Sequence, residues 1–154
     1  MSAPVSAPDD WARRFGGIGR LYGEAALARF RRAHVCVIGV GGVGSWAAEA
    51  LARSAIGELT LIDLDHVALS NINRQAHALT DTLGMAKVDA MAERLLQINP
   101  QLVIHRVDEF IEPDTVGQLL STELDYVVDA IDSLRAKAAL IAWCRRHKVP
   151  VVVS

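Results

Sequence analysis

Gly39-Val40-Gly41-Gly42-Val43-Gly44-Ser45 follows directly on Val35-Cys36-Val37-Ile38. An unbroken apolar run that ends on glycine is the pattern of a strand buried on both faces, as in a parallel sheet. Glycines at 39, 41 and 44 fit the turn that leads such a strand into a helix, and Gly42 adds a fourth. Backbone without side chains can approach a phosphate closely, and the N–H groups opening the next helix carry about +0.5 charge toward it. Val43 to Ser54 reads as that helix, with Val43, Ala47, Ala50 and Leu51 on one stripe and Gly57 as its stop. Leu59-Thr60-Leu61-Ile62-Asp63 is the next strand. One strand–helix–strand unit therefore closes within about 30 residues.

The alternation continues outward from this unit. Asp65 to Asp81 is a polar stretch without clear periodicity, and a long irregular segment inside a compact domain is usually functional. Gly84 to Asn99 is an amphipathic helix with Val88, Met91, Ala92 and Leu95 at helical spacing, and Pro100 stands just past it. Leu102 to Val107 reads as a third strand, Pro113 to Ser121 as a short helix, and Asp125 to Ile131 as a fourth strand ending in acids. Leu134 to His147 is a further helix and Val149 to Val153 a fifth strand. Alternating strands and helices predict an α/β fold: a doubly wound, mostly parallel Rossmann-like sheet with helices on both faces. Trp11 to Arg32 is partly helical and stands before that repeat, and residues 1–12 are expected to be a loose tail ahead of a nucleotide-binding domain over 13–154. A sheet domain that stops on the strand Val151-Val152-Val153 is expected to be the first portion of a longer one.

With 154 residues and 51% hydrophobic content, the chain is long enough for one domain with a substantial core. The net charge of −2 gives no global attraction to nucleic acid. RNA contact would rest on local patches: Arg13, Arg14 and Arg20, or Arg145, Arg146, His147 and Lys148. Cys36 and Cys144 lack metal spacing and read as small core residues, which suits a reducing, cytoplasmic setting. No apolar run reaches the roughly 18 residues of a membrane span.

Asp63 lies at the tip of the second strand, where a carboxylate can hold ribose hydroxyls, so the pattern to this point fits NAD as well as ATP. Three further features favour ATP. Asn71 and Arg74 lie in the loop after Asp63, Lys87 lies in the first turn of the next helix, and Asp129 and Asp132 end the fourth strand. In a parallel sheet all of these fall on the carboxyl edge, where ligands bind. A triphosphate needs cations against the leaving pyrophosphate and an acid to hold Mg²⁺, and Arg74, Lys87 and Asp132 supply both. Arg74 and Lys87 are both expected at the surface, so that either can be replaced without loss of the fold.

From Arg14 to Ser154 the chain resembles the ubiquitin-activating-enzyme-like adenylyltransferases, the ThiF- and MoeB-type enzymes. The resemblance implies a glycine motif at Gly39, Gly41, Gly42 and Gly44, a ribose-binding Asp63, and loop residues Asn71 and Arg74. It also implies a phosphate-binding Lys87 and an Mg²⁺ ligand at Asp132. Arg20, in Arg20-Leu21-Tyr22-Gly23, resembles the arginine that reaches the partner subunit's ATP, which implies a homodimer. Arg14 to Gly23, Gly42 to Arg53 with its Ser45-Trp46, and Asp129 to Ser133 are similar to the branch that acts on tRNA. That likeness implies ATP-dependent cyclisation of N6-threonylcarbamoyladenosine through an acyl-adenylate. Other readings stay open: activation of the C-terminal glycine of a ubiquitin-like sulfur carrier, or a non-catalytic nucleotide-binding module in sulfur traffic with a cysteine desulfurase system. A nicotinamide dehydrogenase remains the reading that the glycine turn alone would allow.

Overall fold

In a computed structural model, which describes residues 10–154, two helices come first: α1 spans Asp10–Tyr22 and α2 spans Glu24–Arg32. The expected tail over 1–12 is thus corrected at its described end, and residues 1–9 lie outside the described residues. Asp10 suits the positive end of the helix dipole and pairs with Arg14 at 2.7 Å. Trp11 packs on the Phe15 ring at 5.4 Å and lies under the Arg31 guanidinium.

Five strands follow: β1 (His34–Ile38), β2 (Glu58–Ile62), β3 (Val103–Val107), β4 (Tyr126–Asp129) and β5 (Val151–Val153). Their order across the sheet is β3-β2-β1-β4-β5, and every neighbouring pair is parallel. Between them run α3 (Gly44–Arg53), α4 (Lys87–Ile98), α5 (Val116–Leu119) and α6 (Leu134–His147). The doubly wound sheet is therefore as expected. The chain winds outward in one direction from β1 and in the other from β4, so the crevice between these two strands is the switch point.

Alternation along the strands divides the core into two layers. Val35, Val37, Leu59 and Leu61 pack with Ala48, Ala52, Val88, Met91 and Leu95 of α3 and α4. Cys36, Ile38, Ile62 and Val127 pack with Leu140, Trp143 and Cys144 of α6 and Val116 of α5. Complete burial of side chains of this size favours the fold by about 1.5–3 kcal/mol each. The apolar spacing in α4 marks its buried face correctly. In α3 the buried face lies one position round from the expected stripe: Val43 and Ala50 are exposed, whereas Ser45, Ala48 and Ala52 are fully buried. The turn before α3 sets the start of the helix close to the sheet, where the small residues Gly44, Ser45 and Ala48 fit beneath it, while Trp46 faces outward. Both cysteines are buried in one layer, as expected, and burial pushes the Cys36 thiol far above its usual range. Among the described residues, no helix is long and apolar enough to cross a membrane.

Candidate functional site

The turn after β1 is built from the strand outward. Gly39 has φ +85°, a conformation that favours glycine, and an added Cβ there would lie 2.5 Å from the Ala130 carbonyl oxygen after β4. At Gly44 a Cβ would run into the Gly39 carbonyl oxygen. These two glycines close the turn on itself. Gly41 and Gly42 are different, because a Cβ would meet nothing nearer than Gln75 Nε2 at 3.8 Å and Arg74 Cδ at 3.4 Å respectively. Their missing side chains leave room on the cavity side, which is what a phosphate needs.

A cavity of about 1010 Å³ opens above this turn at the carboxyl edge. Gly39, Gly41, Gly42, Asp63, Asn71, Arg74, Lys87 and Asp132 all line it, with Gln75, Ser133 and Arg135 beside them. The sheet topology has thus brought together residues spread over nearly a hundred positions of sequence. Gly44 is buried behind the turn, and Arg20 lies at the end of α1, away from the cavity of its own chain.

Asp63 is 7% exposed and accepts two backbone hydrogen bonds, from Val40 N to Oδ2 (2.7 Å) and from Asp65 N to Oδ1 (2.8 Å). The carboxylate fixes the turn to the tip of β2 and keeps further lone pairs toward the cavity. Asn71 is buried, and its Oδ1 accepts from Ala68 N, so the side chain also shapes its loop. Arg74 stands over Gly42; its Nη1 donates to Ser70 O and Asn73 Oδ1, both at 3.0 Å.

Lys87 departs from expectation. It is buried rather than exposed, and its Nζ pairs with Asp65 Oδ2 at 3.3 Å. The isolated His66–Ala86 bridge and the Lys87 N–H donating to Asp65 O fold the loop over it. Asp129 and Asp132, equivalent by position in sequence, also part company. Asp129 is fully buried and bound to Lys137 Nζ at 2.8 Å and to Ile131 N. Asp132 is exposed at the cavity rim and has no side-chain partner among the described residues. Of these two, it is Asp132 that is open to a cation.

Four residues add to the site without having been legible as part of it. Gln75 is 6% exposed in the cavity wall, and its Oε1 is buried without a hydrogen-bond partner among the described residues. His77 is buried, and its Nε2 lies 2.7 Å from Val40 O, bracing the glycine turn from below; burial holds its pKa below the usual value. Trp46 donates from Nε1 to Arg74 O (2.7 Å), and Ser45 Oγ accepts from Ala76 N (3.1 Å). The Ser45-Trp46 pair therefore clamps the arginine loop to the glycine helix.

The cavity is suited to a polyanion. Arg74, Lys87 and Arg135 supply cations, the turn leaves room above it at Gly41 and Gly42, and Asp132 supplies a hard oxygen ligand of the kind Mg²⁺ takes. A second cavity, of about 470 Å³, is lined by Arg14, Arg53 and Arg94, but Glu49 pairs with both Arg53 and Arg94 and Asp10 pairs with Arg14. The basic residues Arg145, Arg146 and His147 form the last turn of α6, about 20 Å along the helix from its cavity end.

The family model described as ThiF family matches residues 17–154. The tRNA threonylcarbamoyladenosine dehydratase of Escherichia coli K12 is 58% identical over 154 residues, covering 100% of this chain and 57% of its own length. The molybdopterin-synthase adenylyltransferase of the same organism is 36% identical over 130 residues, covering 84% of this chain and 51% of its own. The crystal structure of the E. coli dehydratase in complex with ATP superposes with a TM-score of 0.92 at 59% identity, over 97% of this chain and 61% of that one. The chain thus spans a little over half the length of these two curated relatives.

Proposed function

Because the chain belongs to the ThiF family, we propose that it is the nucleotide-binding part of an enzyme that cyclises N6-threonylcarbamoyladenosine in tRNA at the expense of ATP. The observation that carries this reading is the convergence of Arg74, Lys87, Arg135 and unpaired Asp132 on the glycine turn in one cavity. The higher identity to the dehydratase, 58% against 36% for the carrier-protein activator, favours tRNA as the second substrate.

The chemistry follows from the poor leaving ability of oxide. A threonyl carboxylate oxygen attacks the α-phosphorus of ATP, and the bond to pyrophosphate breaks. The product is an acyl-adenylate. The neighbouring carbamoyl group then attacks the acyl carbon, AMP leaves and a proton passes to solvent; the net change in the nucleoside is loss of one water. Ring closure is intramolecular and gains from proximity. It needs no enzyme nucleophile, in keeping with a Cys36 thiol that burial makes inert. The glycine turn and α3 N-terminus hold phosphate, Asp63 holds ribose hydroxyls, and Arg74 and Lys87 offset charge that grows on the pyrophosphate. Asp132 would hold Mg²⁺, which supplies charge neutralisation between the phosphates. Arg20 has no part in the cavity of its own chain and is assigned to the ATP of a second copy in a homodimer.

The full-length protein, ATP, Mg²⁺ and tRNA bearing N6-threonylcarbamoyladenosine should yield the cyclic nucleoside and AMP in equal amounts. Absence of both products refutes the proposal, and pyrophosphate exchange stimulated by a ubiquitin-like carrier but not by tRNA replaces it with carrier activation. Asp132→Asn is expected to raise the Mg²⁺ concentration for half-maximal rate by at least about tenfold. An unchanged Mg²⁺ titration would remove Asp132 from the metal site.

A further inference from the structure

Three residues that the nucleotide cavity does not use meet toward the opposite edge of the sheet. His34 opens β1, Glu58 opens β2 and His105 lies in β3. The register pairs His34 with Glu58 and Thr60 with His105 across adjacent strands. Alternation places all four side chains on the face that carries Cys36 and Ile38. Among the described residues that face is open at the start of β3, where Val103 is 51% exposed. Glu58 Oε1 lies 2.6 Å from His105 Nε2 and 3.6 Å from His34 Nδ1. One ligand atom from each of the three residues falls within 4.8 Å of the other two.

Two imidazoles and a carboxylate are the donor set of zinc-type divalent ions. Ligand bonds of about 2.0–2.2 Å around one ion put the donor atoms roughly 3.5 Å apart, so side-chain rotations alone bring these three into range. The surroundings support ligation. His34 Nε2 lies 2.8 Å from the hydroxyl of buried Thr60. The tautomer that donates Nε2–H to Thr60 leaves Nδ1 as a lone pair facing a carboxylate oxygen with no proton between them. A metal-bound histidine characteristically donates its second ring N–H to such an acceptor. Asp125, whose carboxylate accepts from His34 N, and Glu123 add negative potential. The exposed His105 leaves the site open for entry of an ion and for water to complete its shell.

We propose that His34, Glu58 and His105 form a binding site for a zinc-type divalent transition-metal ion, tying β1, β2 and β3 together about 16 Å from the glycine turn, at the other end of β1. Untagged, metal-stripped protein titrated with ZnCl₂ by calorimetry should bind one Zn²⁺ per chain. Glu58→Gln and His105→Ala should each weaken binding at least about tenfold, and the Zn²⁺-induced rise in Tm should vanish with them. Both residues are solvent-accessible, and far-UV circular dichroism checks that the variants fold. Independently of any variant, Zn²⁺ should shift the ring resonances of His34 and His105 in the NMR spectrum of the unaltered protein. No binding at about 1 mM Zn²⁺, affinity unchanged in both variants, or ring resonances unmoved by bound Zn²⁺ would each overturn the site and leave an ordinary Glu58–His105 ion pair.

Discussion

Lys87→Met is expected to slow pyrophosphate release by about 10²–10³-fold while leaving the folded state as stable as before, or more so. Lys87 is the first residue of α4, at the positive end of its dipole, and it is buried. A cation placed there opposes the helix N-terminus and gives up hydration. Its partner Asp65 is itself more than half exposed, so the 3.3 Å contact offsets little of that cost. Such a placement is destabilising in the free protein and becomes favourable when an anion enters the cavity that Lys87 lines. Methionine keeps the length of the side chain and removes the charge, and Asp65 can turn to water. The measurement is ATP–pyrophosphate exchange beside a thermal melt. Unchanged exchange would remove Lys87 from the phosphate site, and a fall in Tm beyond about 5 °C would show that its role is structural.

Lys87 also shows where sequence reading runs out. Its position in the first turn of a helix was legible from spacing, but its burial depends on the loop from Asp65 folding back over it through the His66–Ala86 bridge, a contact no periodicity announces. The same holds for Asp129 and Asp132. Both end one strand and both are acids, yet Lys137, eight residues on from Asp129 in α6, claims one of them and leaves the other free. The central strands are readable because β1 and β2 are nearly unbroken apolar runs, and α4 because it has a clean stripe. The face of α3 was not, because closeness to the sheet rather than hydrophobicity decides which of its small residues lie beneath it. Gln75 and His77 carry no signal in sequence for a related reason: a buried amide and a buried imidazole look like loop polarity until the structure shows one with an unpartnered oxygen in the cavity wall and the other under Val40. Ser45 and Trp46 were conspicuous in sequence, and only the structure gives them a physical task, holding the backbone of Arg74 and Ala76 against α3.

Gly44→Ala and Gly41→Ala should separate the two duties of the glycine turn. At Gly44 an added methyl is driven into the carbonyl oxygen of Gly39 and also crowds the Ala130 methyl at 3.3 Å. Neither obstacle can step aside easily. Gly39 donates its N–H to Ile62 O and is confined by the Ala130 carbonyl, so relief requires the end of β1 to move against both β2 and β4. Overpacking against fixed backbone is expected to cost about 3 kcal/mol, read as a lower midpoint of urea unfolding with an unchanged slope. At Gly41 the methyl meets only the side-chain amide of Gln75 at 3.8 Å, an ordinary contact distance, and the backbone there has no positive φ. Stability should stay within about 1 kcal/mol of the parent, because a residue other than glycine also loses less chain entropy on folding. The methyl instead occupies the space above the turn, and ATP affinity by calorimetry should fall at least about tenfold, as direct approach of backbone N–H groups to phosphate is blocked. If Gly41→Ala binds ATP as the parent does, the open space over the turn is not where phosphate sits. If Gly44→Ala unfolds at the parent's urea midpoint, the close packing of α3 on the end of β1 is not what holds the turn in shape.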